Sequence, residues 1–449
     1  MNKRYQVLSF LLIAIFISGS AFSYLRRHRP DDKTKELEAL KIIFPEADNF
    51  SEKFPSPPHY KAYKRLPGEG EKEFLGAAFL TTDIAPEIRG YAGPIKMMAG
   101  LKSNGRIVGI TVISHSETPS YVLGLDEFIQ KLSTLDISNS FILGKDVDGI
   151  SRATITSEAI TRAVSKSVKT IGTAVFNLPA NTDSQPSKHL DILQIFFPLL
   201  IFVVAALSIL SNKIYLRWIS LSLGLFYLGF FKSTMVSIAL FANTGLGKIP
   251  AFVDNPLWFM LVVLTILGSF VFGMIYCGNI CPFASVQEWL FKIANIVTHK
   301  SLTFSEENDK KFKSLRFVVL FSVLTASFLA GNAQPAAIEP FLTFFTQKGS
   351  TLAWMLLVFI LIVSAFHFRF WCKYLCPVGA LNGLFSLHSL FKIKLGHDCT
   401  GCEICKDVCP TNAITFQSPL KPVIDYPQCV CCLKCLEECP QNSSLQGKK

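Results

Sequence analysis

Cys399-Thr400-Gly401-Cys402-Glu403-Ile404-Cys405-Lys406-Asp407-Val408-Cys409-Pro410 is answered further on by Cys429-Val430-Cys431-Cys432-Leu433-Lys434-Cys435-Leu436-Glu437-Glu438-Cys439-Pro440. Both runs read Cys-x2-Cys-x2-Cys-x3-Cys-Pro. Gaps this short let three thiolates wrap one [4Fe–4S] cube, while the fourth Cys of each run reaches across to the other cube. Cys399, Cys402, Cys405 and Cys439 are therefore expected to hold one cluster, and Cys409, Cys429, Cys432 and Cys435 the second. A zinc site or a disulfide knot competes for the same residues, but the doubled run, each copy closed by Pro, favours clusters. Cys431 stands outside the pattern and reads as a spare thiol. Such a segment moves single electrons.

At 449 residues the chain exceeds one core and has room for about three domains. Half its residues are hydrophobic, 39 of them Phe, and the apolar residues gather in runs long enough to span a bilayer. The net charge of +11 raises nucleic acid as a partner. The Lys and Arg residues cluster beside the apolar runs, which is the pattern membrane loops require, so the implied partner is membrane lipid and not nucleic acid. All 13 Cys lie at or after Cys277. Thiolates that hold clusters need a reducing compartment, so the C-terminal half is expected to face the cytoplasm.

Residues 1–30 hold the first apolar run, Tyr5 to Leu25 after Lys3 and Arg4, and read as an uncleaved anchor. A cleaved signal with Ala21-Phe22-Ser23 as its site is the alternative. Either way the next segment is exported, although Arg26, Arg27 and Arg29 sit on the wrong side for the positive-inside rule. Residues 31–180 read as an α+β domain, with a helix over Lys33–Phe44 and strands Ile95–Leu101 and Ile107–Ile113 joined at Asn104-Gly105. A further helix, capped near Ser157, is expected to run to Ile171.

Three motifs here resemble the covalent-FMN domain of Rnf, Na⁺-pumping quinone reductase and NosR-type proteins. They are Gly90-Tyr91-Ala92-Gly93-Pro94-Ile95, Glu117-Thr118-Pro119 and Asp148-Gly149-Ile150-Ser151-Arg152-Ala153-Thr154. In that family a D-x-x-[ST]-G-A-[ST] motif carries FMN as a phosphoester on its last hydroxyl, which a flavin transferase installs. The resemblance implies FMN on Thr154, with Ser151, Glu117 and Thr118 in the site. Arg152 stands where the family usually has Gly, and Ser120 where Gly often follows Glu-Thr-Pro.

Residues 189–395 hold five further runs: Leu190–Leu210, Ile214–Leu240, Leu257–Tyr276, Leu315–Gly331 and Leu352–Phe370. An odd number of spans puts the flavin domain and the cluster segment on opposite faces. Lys213, Arg217, Lys292, Lys300, Lys310, Lys311, Lys313 and Arg316 mark one side as cytoplasmic, against Lys248 and Lys348 on the other. The clusters (residues 396–449) then lie inside and the flavin outside. Lys232 reads as the one charge well within a span, expected to snorkel outward or, in the sharper reading, to serve a quinone or ion. His367 reads as a packed interfacial residue.

The membrane domain repeats itself. Cys277-Gly278-Asn279-Ile280-Cys281-Pro282 recurs 95 residues later as Cys372-Lys373-Tyr374-Leu375-Cys376-Pro377, each before an amphipathic stretch (Val286–Val297 and Leu381–Ile393). Two hairpins of like orientation imply a pseudo-twofold along the membrane normal, which would gather all four thiols at the cytoplasmic surface. The i, i+4 spacing puts each pair on one helix face, and Pro282 and Pro377 are expected to break the helix just beyond each pair. A third iron–sulfur centre, another metal, thiol redox chemistry or a structural role are the readings for Cys277, Cys281, Cys372 and Cys376.

Taken whole, the chain resembles the NosR/NirI-type family, and its membrane and cluster half also resembles NapH-type quinol dehydrogenases. The fold class implied is a multidomain membrane protein with three parts. These are an exported α+β FMN-binding domain, an α-helical membrane domain of about six spans, and a C-terminal bacterial-type α+β ferredoxin domain. The resemblance implies an electron-transfer component of the bacterial inner membrane, working in respiration and denitrification and not as a stand-alone enzyme. Its partner would be an exported reductase, nitrous-oxide reductase first among candidates. No intramembrane ligand set bridges the two redox units, which makes a quinone the candidate link. A redox-sensing regulatory or assembly factor is the second reading, and an ion-pumping subunit a distant third.

Overall fold

The computed structural model describes residues 3–27, 32–65, 72–90, 93–115, 117, 122, 124–150, 153–179, 192–249, 252, 255–299, 302, 304–394, 399–418, 421–440 and 444–447. Helix α1 (Lys3–Arg27) is followed by α2 (Asp32–Ile43) and an antiparallel sheet. Its strands are β1 (Asn49–Phe50), β2 (Phe54–Pro55), β3 (Pro58–Arg65), β4 (Lys72–Leu80), β5 (Lys96–Leu101) and β6 (Ile107–Ser114), in the order β1-β3-β4-β5-β6 with β2 on β3. Asn104-Gly105 turns β5 into β6 as expected, and Gly105 takes a φ of +82° that few side chains tolerate.

Both faces of the sheet are covered. Leu40, Ile43 and Phe44 pack on Ala62, Ala78 and Met98, while α4 (Leu125–Ser133) and α5 (Thr154–Phe176) bury Phe128, Leu132, Ile160 and Val164 against Ala77, Met97 and Leu101 on the other side. The short α3 (Thr81–Ile84) lies between β4 and β5. Helix α5 starts at Thr154, three residues before the expected cap. Ser157 is buried inside the helix, and its Oγ instead accepts from Ile150 N of the preceding loop at 2.9 Å.

The membrane half contains α6 (Leu193–Leu210), α7 (Ile214–Gly224), α8 (Ile238–Gly245), α9 (Pro256–Phe272), α10 (Pro282–Thr298), α11 (Glu306–Phe312), α12 (Leu315–Ala330), α13 (Pro340–Thr346), α14 (Thr351–Phe366), α15 (Phe370–Tyr374) and α16 (Pro377–Ser386). Among the described residues, Lys3–Leu25, Leu193–Leu210, Ile214–Phe231 and Glu306–Ala330 are long and apolar enough to cross a membrane. The pair α13 and α14, bent by 102°, adds a fifth, and α9 is a shorter apolar helix. The run Ile214–Leu240 is not one helix. It widens into a π-helix over Leu225–Phe231, stops at Lys232, and resumes only at Ile238.

Charge burial also departs from expectation. Lys232 is half-buried, with Nζ 5.2 Å from the Phe231 ring. Among the described residues, Arg217, Glu288, Asp309, Arg316, Glu339 and Arg369 are the deeply buried charges, each no more than 2% exposed. Arg217 and Arg316 read as loop residues because both stand at the start of apolar runs, where sequence alone does not tell water from a protein partner. His367 is packed as expected, with Nδ1 at 2.7 Å from Leu302 O and Nε2 at 3.0 Å from Tyr374 Oη.

Helix α1 ties the two ends of the molecule together. Near its start Tyr5 Oη donates to Asp425 Oδ2 at 2.8 Å, and near its end Ser20 Oγ donates to Gly245 O at 2.7 Å. Beyond Gly245, the Lys248–Ile249 loop receives the flavin-type domain. Arg89 Nη1 donates to Ile249 O at 3.1 Å, and the Gly93 corner lies against Lys248. The cysteine-rich segment and the loop that carries the sheet domain therefore meet α1 at points 15 residues apart, about 22 Å at 1.5 Å per residue.

The C-terminal segment pairs β7 (Phe391–Lys394) with β10 (Ser444–Gly447) and β8 (Ile414–Ser418) with β9 (Lys421–Ile424). The stretch Leu381–Ile393 is accordingly helix only to Ser386, and its last residues are recruited as a strand.

Candidate redox centres

In each Cys-x3-Cys-Pro motif the proline stands at N1 of a new helix, α10 or α16, where it has no backbone N–H to lose. Pro282 and Pro377 thus start new helices, and the turns before them end at Ile280 and Tyr374. Cys277 lies in a π-helix (Tyr276–Ile280), and Cys281 is the residue capping α10. The two hairpins bring Cys277, Cys281, Cys372 and Cys376 to the wall of one cavity of about 560 Å³, shared with Tyr276, Arg316, Arg369, Gln428 and Val430. Burial pushes the Cys277 thiol up to about 12, neighbouring Cys281 adding to the effect. Burial likewise pushes Cys372 up to about 12. Burial raises Cys281 and Cys376 in the same direction, so all four thiols keep their protons unless a bound metal displaces them.

Among the described residues, no three His, Cys, Asp or Glu side chains stand close enough to share a single metal ion. Four thiols on one cavity wall are the donor set an iron–sulfur cluster takes. Two of them accept from side-chain amides: Asn382 Nδ2 donates to Cys277 Sγ at 3.3 Å and Gln287 Nε2 to Cys372 Sγ at 3.1 Å.

Cysteines of the two C-terminal runs meet across the repeat. One cavity of about 390 Å³ is lined by Cys399, Cys402 and Cys405 from the first run and by Cys439 from the second. Cys435 and Cys432 are electrostatic neighbours of Cys429 and of Cys409. Short helices α17 (Ile404–Asp407) and α18 (Lys434–Glu437) follow left-handed Glu403 and Leu433, which turn the chain so that the next Cys faces inward. Cys431 is buried, its Sγ 3.5 Å from Phe272 O.

The loop holding Cys429 closes the membrane cavity. Gln428 and Val430, on either side of Cys429, line the four-thiol cavity. Arg316 Nη2 donates to Pro427 O at 2.9 Å, and a Cβ on Gly278 would stand 1.8 Å from Val430 O. Arg369 donates to Cys277 O at 2.7 Å and to Gly278 O at 3.2 Å, while pairing with buried Glu288. A second buried knot holds the same junction. Asp309 accepts from Lys313 at 2.6 Å, Lys373 at 2.8 Å, Tyr374 at 2.5 Å and Asn412 at 3.3 Å.

In the sheet domain, Glu117 is buried and accepts from Thr156 Oγ1 at 2.6 Å, which ties the Glu117 loop to the first turn of α5. Gly90 N donates to Gly93 O at 2.8 Å, and a Cβ on Gly90 would lie 2.4 Å from Glu117 Oε1. The glycine corner, Glu117 and the start of α5 are thus one neighbourhood. Thr118, Ser151 and the side chain of Thr154 lie outside the described residues. Burial and the nearby Lys248 hold His115, on the same face, below the usual imidazole range.

Sequence reading missed Ser269, Gln287, Glu288, Ser364, Arg369 and Asn382. The 95-residue offset, carried past the cysteines, finds two of the pairs: Ser269 with Ser364 and Gln287 with Asn382.

The FMN-binding domain family matches residues 90–169. A 4Fe-4S binding domain family matches 254–300 and 350–396, which are the two hairpins, and another matches 397–415. An uncharacterized protein of Methanocaldococcus jannaschii is 29% identical over 184 residues, 40% of this chain and 67% of that protein. The regulatory protein NosR of Stutzerimonas stutzeri is 30% identical over 194 residues, 41% of this chain but 26% of its own length. The protein NirI of Paracoccus denitrificans is 26% identical over 212 residues, 45% of this chain and 30% of its own. With an FMN-binding domain ahead of the membrane half and 4Fe-4S binding domains in the two hairpins and the C-terminal segment, the chain is a membrane flavo-iron–sulfur protein of the NosR/NirI type.

Proposed function

We propose that the protein carries electrons across the bacterial inner membrane between cytoplasmic iron–sulfur clusters and an extracytoplasmic FMN, serving an exported respiratory reductase. The observation that carries this reading is the loop Pro427–Cys432, whose Gln428 and Val430 line the cavity of Cys277, Cys281, Cys372 and Cys376, beside the Cys429 and Cys432 that this reading gives to one ferredoxin cluster. These four thiols hold a third [4Fe–4S] centre, so the clusters form a relay entering the membrane domain. FMN is joined as a phosphoester to Thr154 by a flavin transferase, and the N-terminus of α5 favours its phosphate. Tyr5–Asp425 and Ser20–Gly245, at the two ends of α1, support opposite faces for the two units.

A hydrocarbon layer of about 30 Å still separates clusters from flavin, and quinone is the carrier that bridges it. A second cavity of about 270 Å³, lined by Pro198, Phe202, Leu228, Leu261, Thr265 and Tyr276, shares Tyr276 with the four-thiol cavity. It is apolar, and Thr265 Oγ1, buried there without a hydrogen-bond partner among the described residues, supplies a polar contact for a quinone head-group once the cleft widens. One quinol gives two electrons and two protons, enough for two one-electron clusters or one two-electron flavin. Nitrous-oxide reductase is the leading terminal partner. The regulatory name of one relative favours a second reading, in which the same redox state controls expression or assembly of the reductase.

Iron and sulfide counts on purified full-length protein test the relay. About twelve irons per chain are expected, falling to about eight in Cys277→Ser/Cys372→Ser. A wild-type count of about eight with flavin present removes the third centre.

A further inference from the structure

The two repeats exchange a hydrogen-bonding arm. Ser364 Oγ (3.2 Å) and Trp371 N (3.1 Å) both donate to Gln287 Oε1, which leaves the Gln287 amino group to donate to Cys372 Sγ at 3.1 Å. At the equivalent positions Ser269 Oγ donates to Asn382 Oδ1 at 3.4 Å, and Asn382 Nδ2 donates to Cys277 Sγ at 3.3 Å. Gln287 belongs to the first hairpin and reaches the second hairpin's Cys372. Asn382 belongs to the second and reaches the first hairpin's Cys277. All four polar side chains are fully buried. The second Cys of the second motif receives only a backbone donor, Gly379 N to Cys376 Sγ at 3.3 Å.

We propose that Gln287 and Asn382 are paired positioning residues that set the reduction potential of the four-thiol centre. The inference rests on the reading of those thiols as an iron–sulfur ligand set. An N–H aimed at a ligating sulfur withdraws electron density from it and favours the more negatively charged, reduced state, so each arm raises the potential. The serines act one bond further out by fixing which end of each amide faces the sulfur. Because the arms cross, the centre senses both hairpins, and loosening either one changes the potential of the whole.

The experiment is a redox titration, followed by electron paramagnetic resonance, of full-length protein in detergent. Wild type is compared with Gln287→Leu, Asn382→Leu, Ser269→Ala, Ser364→Ala and Asn382→Gln. The relevant signal is the one missing from Cys277→Ser/Cys372→Ser. Both Leu variants are expected to move that signal to more negative potential and leave the ferredoxin signals in place. The Ser variants, which keep every sulfur donor, are expected to shift it less in the same direction, and Asn382→Gln to recover part of the change. If a Leu variant loses the centre, the Ser variants still decide. A signal at wild-type potential in both Ser variants, or in a Leu variant with full iron, overturns the assignment. Absence of that signal and of its iron from wild type overturns the underlying reading instead.

Discussion

Arg369 of the second hairpin and Glu288 of the first form a buried ion pair, Nη2 to Oε1 at 2.6 Å, and Arg217 closes on the same oxygen at 2.5 Å. All three side chains are almost wholly removed from solvent. A lone carboxylate between two guanidiniums is stabilising only as a set. Glu288→Gln leaves two buried cations without their counter-charge and is expected to cost about 3–5 kcal/mol. The exposed pair Lys311–Glu307 is the control, since Glu307→Gln removes about 0.5 kcal/mol or less. Thermal unfolding in detergent reads both. Equal melting temperatures for the two variants would show that the ion pair does not hold the hairpins.

Gly278 is required by close approach. A methyl group there meets Val430 O at 1.8 Å, where backbone, not a flexible side chain, blocks the way. Gly278→Ala is expected to lift the Pro427–Cys432 loop off the membrane domain and slow electron exchange between the clusters at least tenfold, with iron content unchanged. Gly109, which has nothing within 4 Å of its Cβ position, should accept Ala without effect. Freeze-quenched reduction of the separate signals makes the comparison.

Cys439 sits in the second run but lines the cavity of the first. Cys439→Ala should therefore perturb the cluster of Cys399, Cys402 and Cys405, and leave the signal of the Cys429 set unaltered. The opposite pattern in the spectra would overturn the crossover.

Thr154 is the expected flavin acceptor. In denatured protein, flavin fluorescence should stay with the wild-type band and vanish from Thr154→Val, while Ser151→Ala keeps it. Fluorescence surviving in Thr154→Val moves the attachment elsewhere, Ser151 and Thr156 first. Arg152→Gly, which restores the residue usual in the resembling family, should raise the flavinylated fraction.

What could be read beforehand was what short spacing encodes. Ligand spacing in the cysteine runs, the Asn104-Gly105 turn and the doubled Cys-x3-Cys-Pro each depend on neighbours a few residues apart. Helix limits were less legible at Ser157, because a buried Ser serves a loop N–H as well as it serves a helix end. Pro282 and Pro377 read as breakers because the same missing N–H that ends one helix suits the first turn of the next. Arg217, Glu288 and Arg369 were out of reach, since their partners lie 71 or more positions away and only the folded hairpins bring them together.

Anaerobic addition of a quinol analogue to the purified, flavinylated protein tests most directly whether electrons pass between the clusters and the flavin through the membrane domain. Flavin and cluster absorbance are followed separately, with dithionite as the reference for full reduction. Quinol is expected to bleach both centres in wild type, and Cys277→Ser/Cys372→Ser to uncouple the ferredoxin clusters from the quinol and the flavin. Reduction of both centres by dithionite but of neither by quinol, with no quinone co-purifying, would contradict this route.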